Sequence, residues 1–361
     1  MEYRPGLEGV PAAETALSLI DGEAGRLFYR GTPAGEWAVT GSFEETANYL
    51  WRGAMPCAEQ LDELKRKFAQ YRKLPPNLKN VLDTLPENMT MMDVLRTAVS
   101  SLGINETWPP TVDQATRITA VVPTIIAYRY RQQKQERPIL PDENLGHTAN
   151  YLYMLTGTIP KDAHVEALDA YLILTMEHGL NASTFTARVI TSTQSDLYSA
   201  VSGAIGAMKG PLHGGAPSGV ARMLDAIGTK ENAERWLRSA LEKDERLMGF
   251  GHRVYKTEDP RASALRKVTS KLAADDPWFD LALETERIAI RLLEEYKPGR
   301  RLYTNVEFYA AAVLRAIALP EPLFTSTFSA SRAVGWTAHA LEQAENNRIF
   351  RPKAHYIGRA N

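Results

Sequence analysis

The sequence predicts a mainly α-helical protein of two domains, with one small β-hairpin near the N-terminus. Three observations carry this. Apolar residues recur at helical spacing over most of the chain. Ala233, Trp236, Leu237, Ala240 and Leu241, for instance, fall at i, i+3, i+4, i+7 and i+8, one stripe on one helix face. Strand signals are few by comparison. The chain has 361 residues, 44% hydrophobic and 24% charged, which is globular composition, and at ~150 residues per domain its length suggests about two domains.

From the N-terminus, Ala16 to Tyr29 holds two short apolar runs around Asp21-Gly22, the pattern of a hairpin. Ser42-Phe43-Glu44-Glu45 reads as a capping box opening a helix through Trp51. A second helix spans Thr90 to Leu102 and closes at Gly103. Thr111 to Gln133 reads as a long helix kinked near Pro123. Further helical patterns cover 162–178, 183–193, 195–209, 217–227, 258–272, 278–296, 306–318 and 326–346. No internal repeat or low-complexity segment interrupts them.

Composition excludes several classes. With 42 Lys+Arg against 43 Asp+Glu, no excess of positive charge is available for a nucleic-acid partner. A single cysteine, Cys57, forbids an internal disulfide and a multi-thiolate zinc site, and fits a reducing compartment. No run approaches the ~18 apolar residues of a membrane span. Glu2, Glu8 and Glu14 precede any apolar block, unlike a secretory signal, so a cytoplasmic location is expected.

Chemistry-bearing residues gather in Gly/Pro-rich interruptions of the helical pattern, where loops concentrate function. His213 sits in Gly210-Pro211-Leu212-His213-Gly214-Gly215-Ala216, and His252 in Met248-Gly249-Phe250-Gly251-His252-Arg253-Val254-Tyr255-Lys256, followed by Asp259-Pro260-Arg261. Glu307 sits in Tyr303-Thr304-Asn305-Val306-Glu307-Phe308-Tyr309. Two histidines and a carboxylate suit general acid/base work near neutral pH. Other readings stand beside this one. A histidine between glycines could be a surface loop residue. The three could form a facial metal triad, although spacings of 39 and 55 residues give no two ligands on one helix turn. Thr304-x-x-Glu307 also reads as a capping box, with the carboxylate turned back to the Thr304 N–H.

These motifs, in this order, resemble citrate synthase. The likeness also takes in Gly6 to Val10, Ile20 to Gly31, Glu177 to Thr184, Ser331 to Trp336 and Phe350 to Lys353, and so nearly the whole chain. The resemblance implies a helical fold of a large domain, 1–214 and 319–361, and a small one, 215–318, closing over a cleft. It implies the short dimeric form, without an extra N-terminal domain. It also implies condensation of acetyl-CoA with oxaloacetate and hydrolysis of citryl-CoA, with no metal and no cofactor.

By the same resemblance Glu307 is the base, His213 the donor to the enolate oxygen, and His252 the group that polarises and protonates the oxaloacetate carbonyl. Arg261 and Arg332 match the carboxylate-binding arginines, and a guanidinium fork suits a carboxylate. Arg351 matches one that reaches a neighbouring subunit's site; His178, with Asn181 alongside, matches a substrate hydrogen-bonding residue. Arg246, Leu247, Met248, Gly249, Phe250 and Gly251 resemble the loop that wraps the CoA adenine. Lys256 stands where an arginine often meets phosphate. One position departs: the family usually has Asp where this chain has Glu307, and a carboxylate displaced by ~1 Å can cost on the order of 10²-fold. A 2-methylcitrate synthase using propionyl-CoA, a feeble acyl-CoA-binding paralogue and a helical metal-binding protein are the alternatives.

Overall fold

The computed structural model of the chain describes residues 3–104, 106–214, 216–252, 254–272 and 277–359. Gly215 and Arg253, which belong to the two glycine–histidine motifs, lie outside the described residues.

Three short strands, β1 (Ser18–Asp21), β2 (Arg26–Tyr29) and β3 (Thr32–Pro33), form an antiparallel sheet in that order. The expected hairpin is its first two strands, with Ser18 opposite Tyr29 and Asp21 opposite Arg26. Asp21 closes the turn, accepting the Ala24 N–H at 2.9 Å and pairing with Arg26 at 2.8 Å. The third strand extends beyond the predicted hairpin.

Sixteen α-helices follow among the described residues. They are α1 (Ala34–Thr40), α2 (Phe43–Arg52), α3 (Ala58–Tyr71), α4 (Pro76–Thr84), α5 (Met91–Leu102), α6 (Val112–Gln133), α7 (His147–Thr156) and α8 (Asp162–Thr175), then α9 (Ala182–Ser192), α10 (Leu197–Met208), α11 (Ala216–Ile227), α12 (Lys230–Glu242), α13 (Pro260–Leu272), α14 (Pro277–Tyr296), α15 (Val306–Ala316) and α16 (Phe324–Glu345).

The capping signals behave as expected. Ser42 and Glu45 form a reciprocal box on α2, and Thr111 and Gln114 do so on α6. Thr90 caps α5, which ends at Gly103. Four helices escape the sequence pattern: α1, α3, α4 and α7. Three of these, α1, α4 and α7, open with no side-chain cap, behind Pro33, Pro75 and Gly146. In α3 the stripe of Leu61, Leu64 and Phe68 is set among charged residues.

The spine is α16. It is buried nearly all round, which a helix tolerates only at the centre of a protein, and it packs against α2, α5, α6, α8, α9, α10 and α11. Its polar side chains find partners inside: Thr337 accepts the Trp51 indole N–H, and Ser331 donates to the Leu172 carbonyl. Arg332, Trp336 and His339 fall at i, i+4 and i+7, so one face of α16 presents all three. Further along the chain, α11 and α13 pack on α15 and α12 packs on α14, while α13 and α15 also reach α8. No helix among the described residues is long and apolar enough to cross a membrane.

Candidate active site

The loop after α12 is tied to the start of α15. The Gly251 N–H donates to the Tyr303 carbonyl at 2.7 Å, the Asn305 N–H to the Gly249 carbonyl at 2.9 Å, and the Asn305 amide to the Gly251 carbonyl at 2.9 Å. Gly249 takes φ +85°, and a Cβ there would stand 2.9 Å from the Phe308 ring, so only glycine fits. Leu247, Gly249 and Phe250 are buried, Met248 and Gly251 half-buried, Arg246 and Lys256 exposed. The Lys256 N–H reaches the Gly22 carbonyl in the hairpin turn. This ladder sets His252 and Glu307 at fixed positions relative to one another.

Asp259 is the second fastener. It is buried and accepts four donors: the Arg261 N–H (3.0 Å), Arg261 Nε (3.0 Å), Arg261 Nη2 (2.8 Å) and the Val306 N–H (3.0 Å). One carboxylate therefore sits at the N-termini of both α13 and α15, where the helix dipoles favour negative charge. It orients Arg261 on the first helix and fixes the start of the second, which carries Glu307.

The backbone also fixes the tautomer of His252. Its Nδ1 accepts the N–H groups of Val254 (3.0 Å) and Tyr255 (3.1 Å). The imidazole proton must then be on Nε2. That N–H lies 3.4 Å from Arg261 Nη2, another donor. His178 completes the cluster, 3.2 Å from the Tyr255 hydroxyl and edge-on to His252 with ring centroids 5.4 Å apart.

Arg332 enters from α16. Its Nε donates to the Thr175 carbonyl at 2.7 Å, its guanidinium stacks over Phe328, and it forms no ion pair with the described residues. A guanidinium that is 2% exposed and joined in no ion pair costs several kcal/mol, which an anionic ligand would offset. His213 is held at the end of α10 by a turn on Gly210. Its Nε2 lies 2.8 Å from Ser183 Oγ, which accepts the Trp336 indole N–H at 3.0 Å and is 2.8 Å from Asn181 Oδ1.

Glu307 is not a capping-box partner. The cap of α15 is Asn305, whose Oδ1 accepts the Glu307 N–H at 3.1 Å, and the Thr304 hydroxyl has no partner among the described residues. The Glu307 carboxylate makes no hydrogen bond or ion pair with the described residues. Burial pushes it up to about 7, against the pull of Arg261 and Arg332 and with help from Asp259. Burial, then Arg332, brings His213 down to about 4. Burial, then Arg261, brings His252 to about 4, and His178 is pushed well below its ordinary value by burial, Arg261 and His252. The imidazoles are therefore neutral N–H donors at physiological pH, beside a carboxyl poised near neutrality. Among the described residues no group of three or more His, Cys, Asp and Glu could hold a metal.

The structure thus gathers His178, His213, His252, Arg261, Glu307 and Arg332. Asn181 lies alongside, but its amide caps α9 through the Thr184 N–H and braces the turn at Gly179. Arg351 lies elsewhere, exposed in a groove of about 870 Å³ lined by both chain termini, Phe185 and Arg188. Asp259, Tyr255, Ser183, Trp336 and Glu177 support the cluster without having been singled out by sequence. All five stand inside the quoted motifs, yet only folding reveals which polar atoms meet.

Fold and site define an α-helical protein whose cluster, a carboxyl poised near neutrality beside neutral imidazoles and two buried guanidiniums, suits proton transfer on an anionic substrate. A family model described as "Citrate synthase, C-terminal domain" matches residues 6–353. The citrate synthase of Haloferax volcanii is 41% identical over 372 residues, covering 99% of this chain and 96% of its own. The 2-methylcitrate synthase of Mycobacterium tuberculosis H37Rv is 38% identical, covering 99% and 91%. Among solved structures, Thermotoga maritima citrate synthase superposes with a TM-score of 0.89 at 39% identity, covering 100% of this chain and 97% of that one. A ternary complex of Thermoplasma acidophilum citrate synthase with carboxymethyl coenzyme A and oxaloacetate gives 0.92 at 29% identity, covering 100% and 97%. The chain belongs to the citrate synthase family.

Proposed function

We propose that the protein is a citrate synthase that condenses acetyl-CoA with oxaloacetate and hydrolyses citryl-CoA to citrate and CoA. One observation carries this reading. A base without a partner among the described residues (Glu307), two donors 3.4 Å apart (His252 Nε2–H and Arg261 Nη2) and a buried guanidinium engaged in no ion pair (Arg332) lie in one cluster. Glu307 takes a proton from the thioester methyl. His213 donates to the thioester oxygen as it gains enolate charge, a contribution of about 3–4 kcal/mol for a preorganised donor. The enolate carbon attacks the oxaloacetate carbonyl, whose oxygen takes the proton of His252 Nε2. Arg261 and Arg332 hold the carboxylates, with His178 nearby. Water then splits the thioester.

Residues 215–318 act as the small domain that closes on the cleft, and the Arg246–Gly251 loop with Lys256 holds CoA. Arg351 serves the neighbouring subunit of a cytoplasmic homodimer. Its exposure, away from its own chain's cluster, supports that role. No cofactor is required, since no step calls for one. The second reading, 2-methylcitrate synthase, is favoured by relatives of that name at 38% identity. Thiol release with oxaloacetate and either acetyl- or propionyl-CoA separates the two, and release with neither refutes both.

A further inference from the structure

A buried acid beside Arg332 takes no part in the chemistry proposed above. Glu177 follows α8 and is fully buried. Its Oε1 accepts three hydrogen bonds, from Ser18 Oγ (2.9 Å), His339 Nε2 (3.1 Å) and the Gly179 N–H (2.5 Å). Its Oε2 has no partner among the described residues. His339 is fixed in turn by Arg188, whose Nη1 lies 3.0 Å from His339 Nδ1. An arginine can only donate, so the His339 proton sits on Nε2 and points at Glu177. Arg188 is anchored by Glu342 at 2.7 Å and Gln343 at 3.0 Å. Burial pushes the Glu177 carboxyl up, but His339, Arg332 and Ser18 outweigh it and leave an anion.

Arg332 is close to this anion. A Cβ on Gly335 would stand 2.7 Å from Glu177 Oε2 and 3.4 Å from Arg332 Cδ, so the free oxygen and the arginine stem flank one point. Yet the two opposite charges form no ion pair. Buried charges of opposite sign attract strongly at low dielectric, and these two would close on one another unless one were held. The three donors on Oε1 hold Glu177.

We propose that His339 is a positioning residue: by holding Glu177 Oε1 it keeps that carboxylate from closing on Arg332, and so leaves the guanidinium fork open to a substrate carboxylate. This rests on the reading of Arg332 as a substrate arginine. His339→Leu removes the restraint, and Glu177 then competes with the substrate. The KM for oxaloacetate rises about tenfold or more while kcat stays within about threefold, the equivalent of about 1.4 kcal/mol in ground-state binding. Glu177→Gln in the same chain carries no charge with which to pair Arg332, so the double variant returns KM to within about threefold of the parent. A merely structural role for His339 would not be rescued by a second buried substitution.

Ser18→Ala, which removes another donor from Oε1, is the second variant should His339→Leu fail to fold. It raises KM in the same direction and is rescued by the same Glu177→Gln. Calorimetric titration of oxaloacetate into parent, single and double variants reads the effect without turnover. An unchanged KM and Kd in His339→Leu (in Ser18→Ala if that chain does not fold), or a rise that Glu177→Gln does not reverse, overturns the proposal. Absence of turnover in the parent would refute the proposed function, while the titration would still decide this inference, since a parent that binds no oxaloacetate overturns it too.

Discussion

His252 Nε2 and Arg261 Nη2 stand 3.4 Å apart, and both carry hydrogen. The His252 proton is fixed there because its Nδ1 accepts two backbone N–H groups, and Arg261 is oriented by the Asp259 carboxylate. Two donors this close, with no acceptor between them among the described residues, are relieved by an oxygen that accepts from both, which describes a site for a substrate oxygen that carries or gains negative charge. His252→Ala is expected to lower kcat by about 10²-fold or more, within the range for a general acid. Thermal unfolding should change little, since the ring's hydrogen bonds go to a partly exposed turn. Steady-state kinetics and calorimetry check both parts.

The pH profile follows from the same cluster. Glu307 must be ionised to act as a base, and burial sets it at about 7. His213 and His252, at about 4, are already neutral across the working range. The value of kcat/KM should therefore rise with pH through about 7 as one ionisation, with no imidazole step between pH 5 and 9. A profile flat from pH 5 to 8 would remove Glu307 from the role of base in the free enzyme.

Glu307→Gln separates chemistry from stability. It cannot accept a proton, and turnover should fall by roughly 10²–10⁴-fold. The folded carboxyl keeps its proton up to about 7, and the unfolded one loses it near the ordinary 4.5. The native state therefore binds more protons between these values and loses stability as pH rises through them. The amide has no such penalty, so at pH 8 the variant should be more stable than the parent by about 3 kcal/mol. Denaturant melts at pH 8 and pH 4.5 test it, and the gain should vanish at the lower pH. Glu307→Asp should retain measurable activity.

Ser183 couples the His213 tautomer to Asn181: if its proton goes to Asn181 Oδ1, the His213 proton stands on Nε2 and is donated to Ser183. Its Oγ accepts from Trp336 and has one proton to give, to His213 Nε2 or Asn181 Oδ1. When it gives that proton to His213, the imidazole proton stands on Nδ1, free for the thioester oxygen. Ser183→Ala removes this control and should lower kcat about five- to tenfold, the effect of about one neutral hydrogen bond, with little change in oxaloacetate KM. A larger change in KM than in kcat would contradict the assignment.

Arg351 lines a groove between the chain termini and does not join its own chain's cluster. Arg351→Ala should weaken oxaloacetate use in a protein that still dimerises. Mixing Arg351→Ala with His252→Ala subunits should regenerate some sites free of both lesions, measured as recovered thiol release. No recovery in verified heterodimers would place Arg351 in its own subunit's site or in none.

Much of this protein could be read from the order of its residues. Apolar periodicity marks the helices around the site, because a repeat of 3.6 is imposed by local geometry and survives in the sequence. Ser42, Thr90 and Thr111 mark helix starts, because a cap satisfies N–H groups within three residues. Helices α1, α4 and α7 lack such caps and carry no such local mark, and tertiary packing holds them. The Glu307 motif was ambiguous for the same local reason. Thr304-x-x-Glu307 has the letters of a capping box, and which residue caps α15 depends on how Asn305 is drawn to the Gly251 carbonyl.

Sequence by itself determined the helical class and the family resemblance, since these follow from residue type, spacing and motif order, and the resemblance in turn named the acid, base and arginine candidates. Tertiary structure alone decided their states. Burial among Arg261, Arg332 and Asp259 raises Glu307 and lowers the histidines. Hydrogen bonds from Val254 and Tyr255 choose the His252 tautomer. Three donors reaching Glu177 from β1, the turn after α8 and α16 keep it apart from Arg332. The reason is electrostatic: the energy of a charge or a proton depends on every dipole and water molecule within a few ångströms, and those neighbours come from segments far apart in the chain.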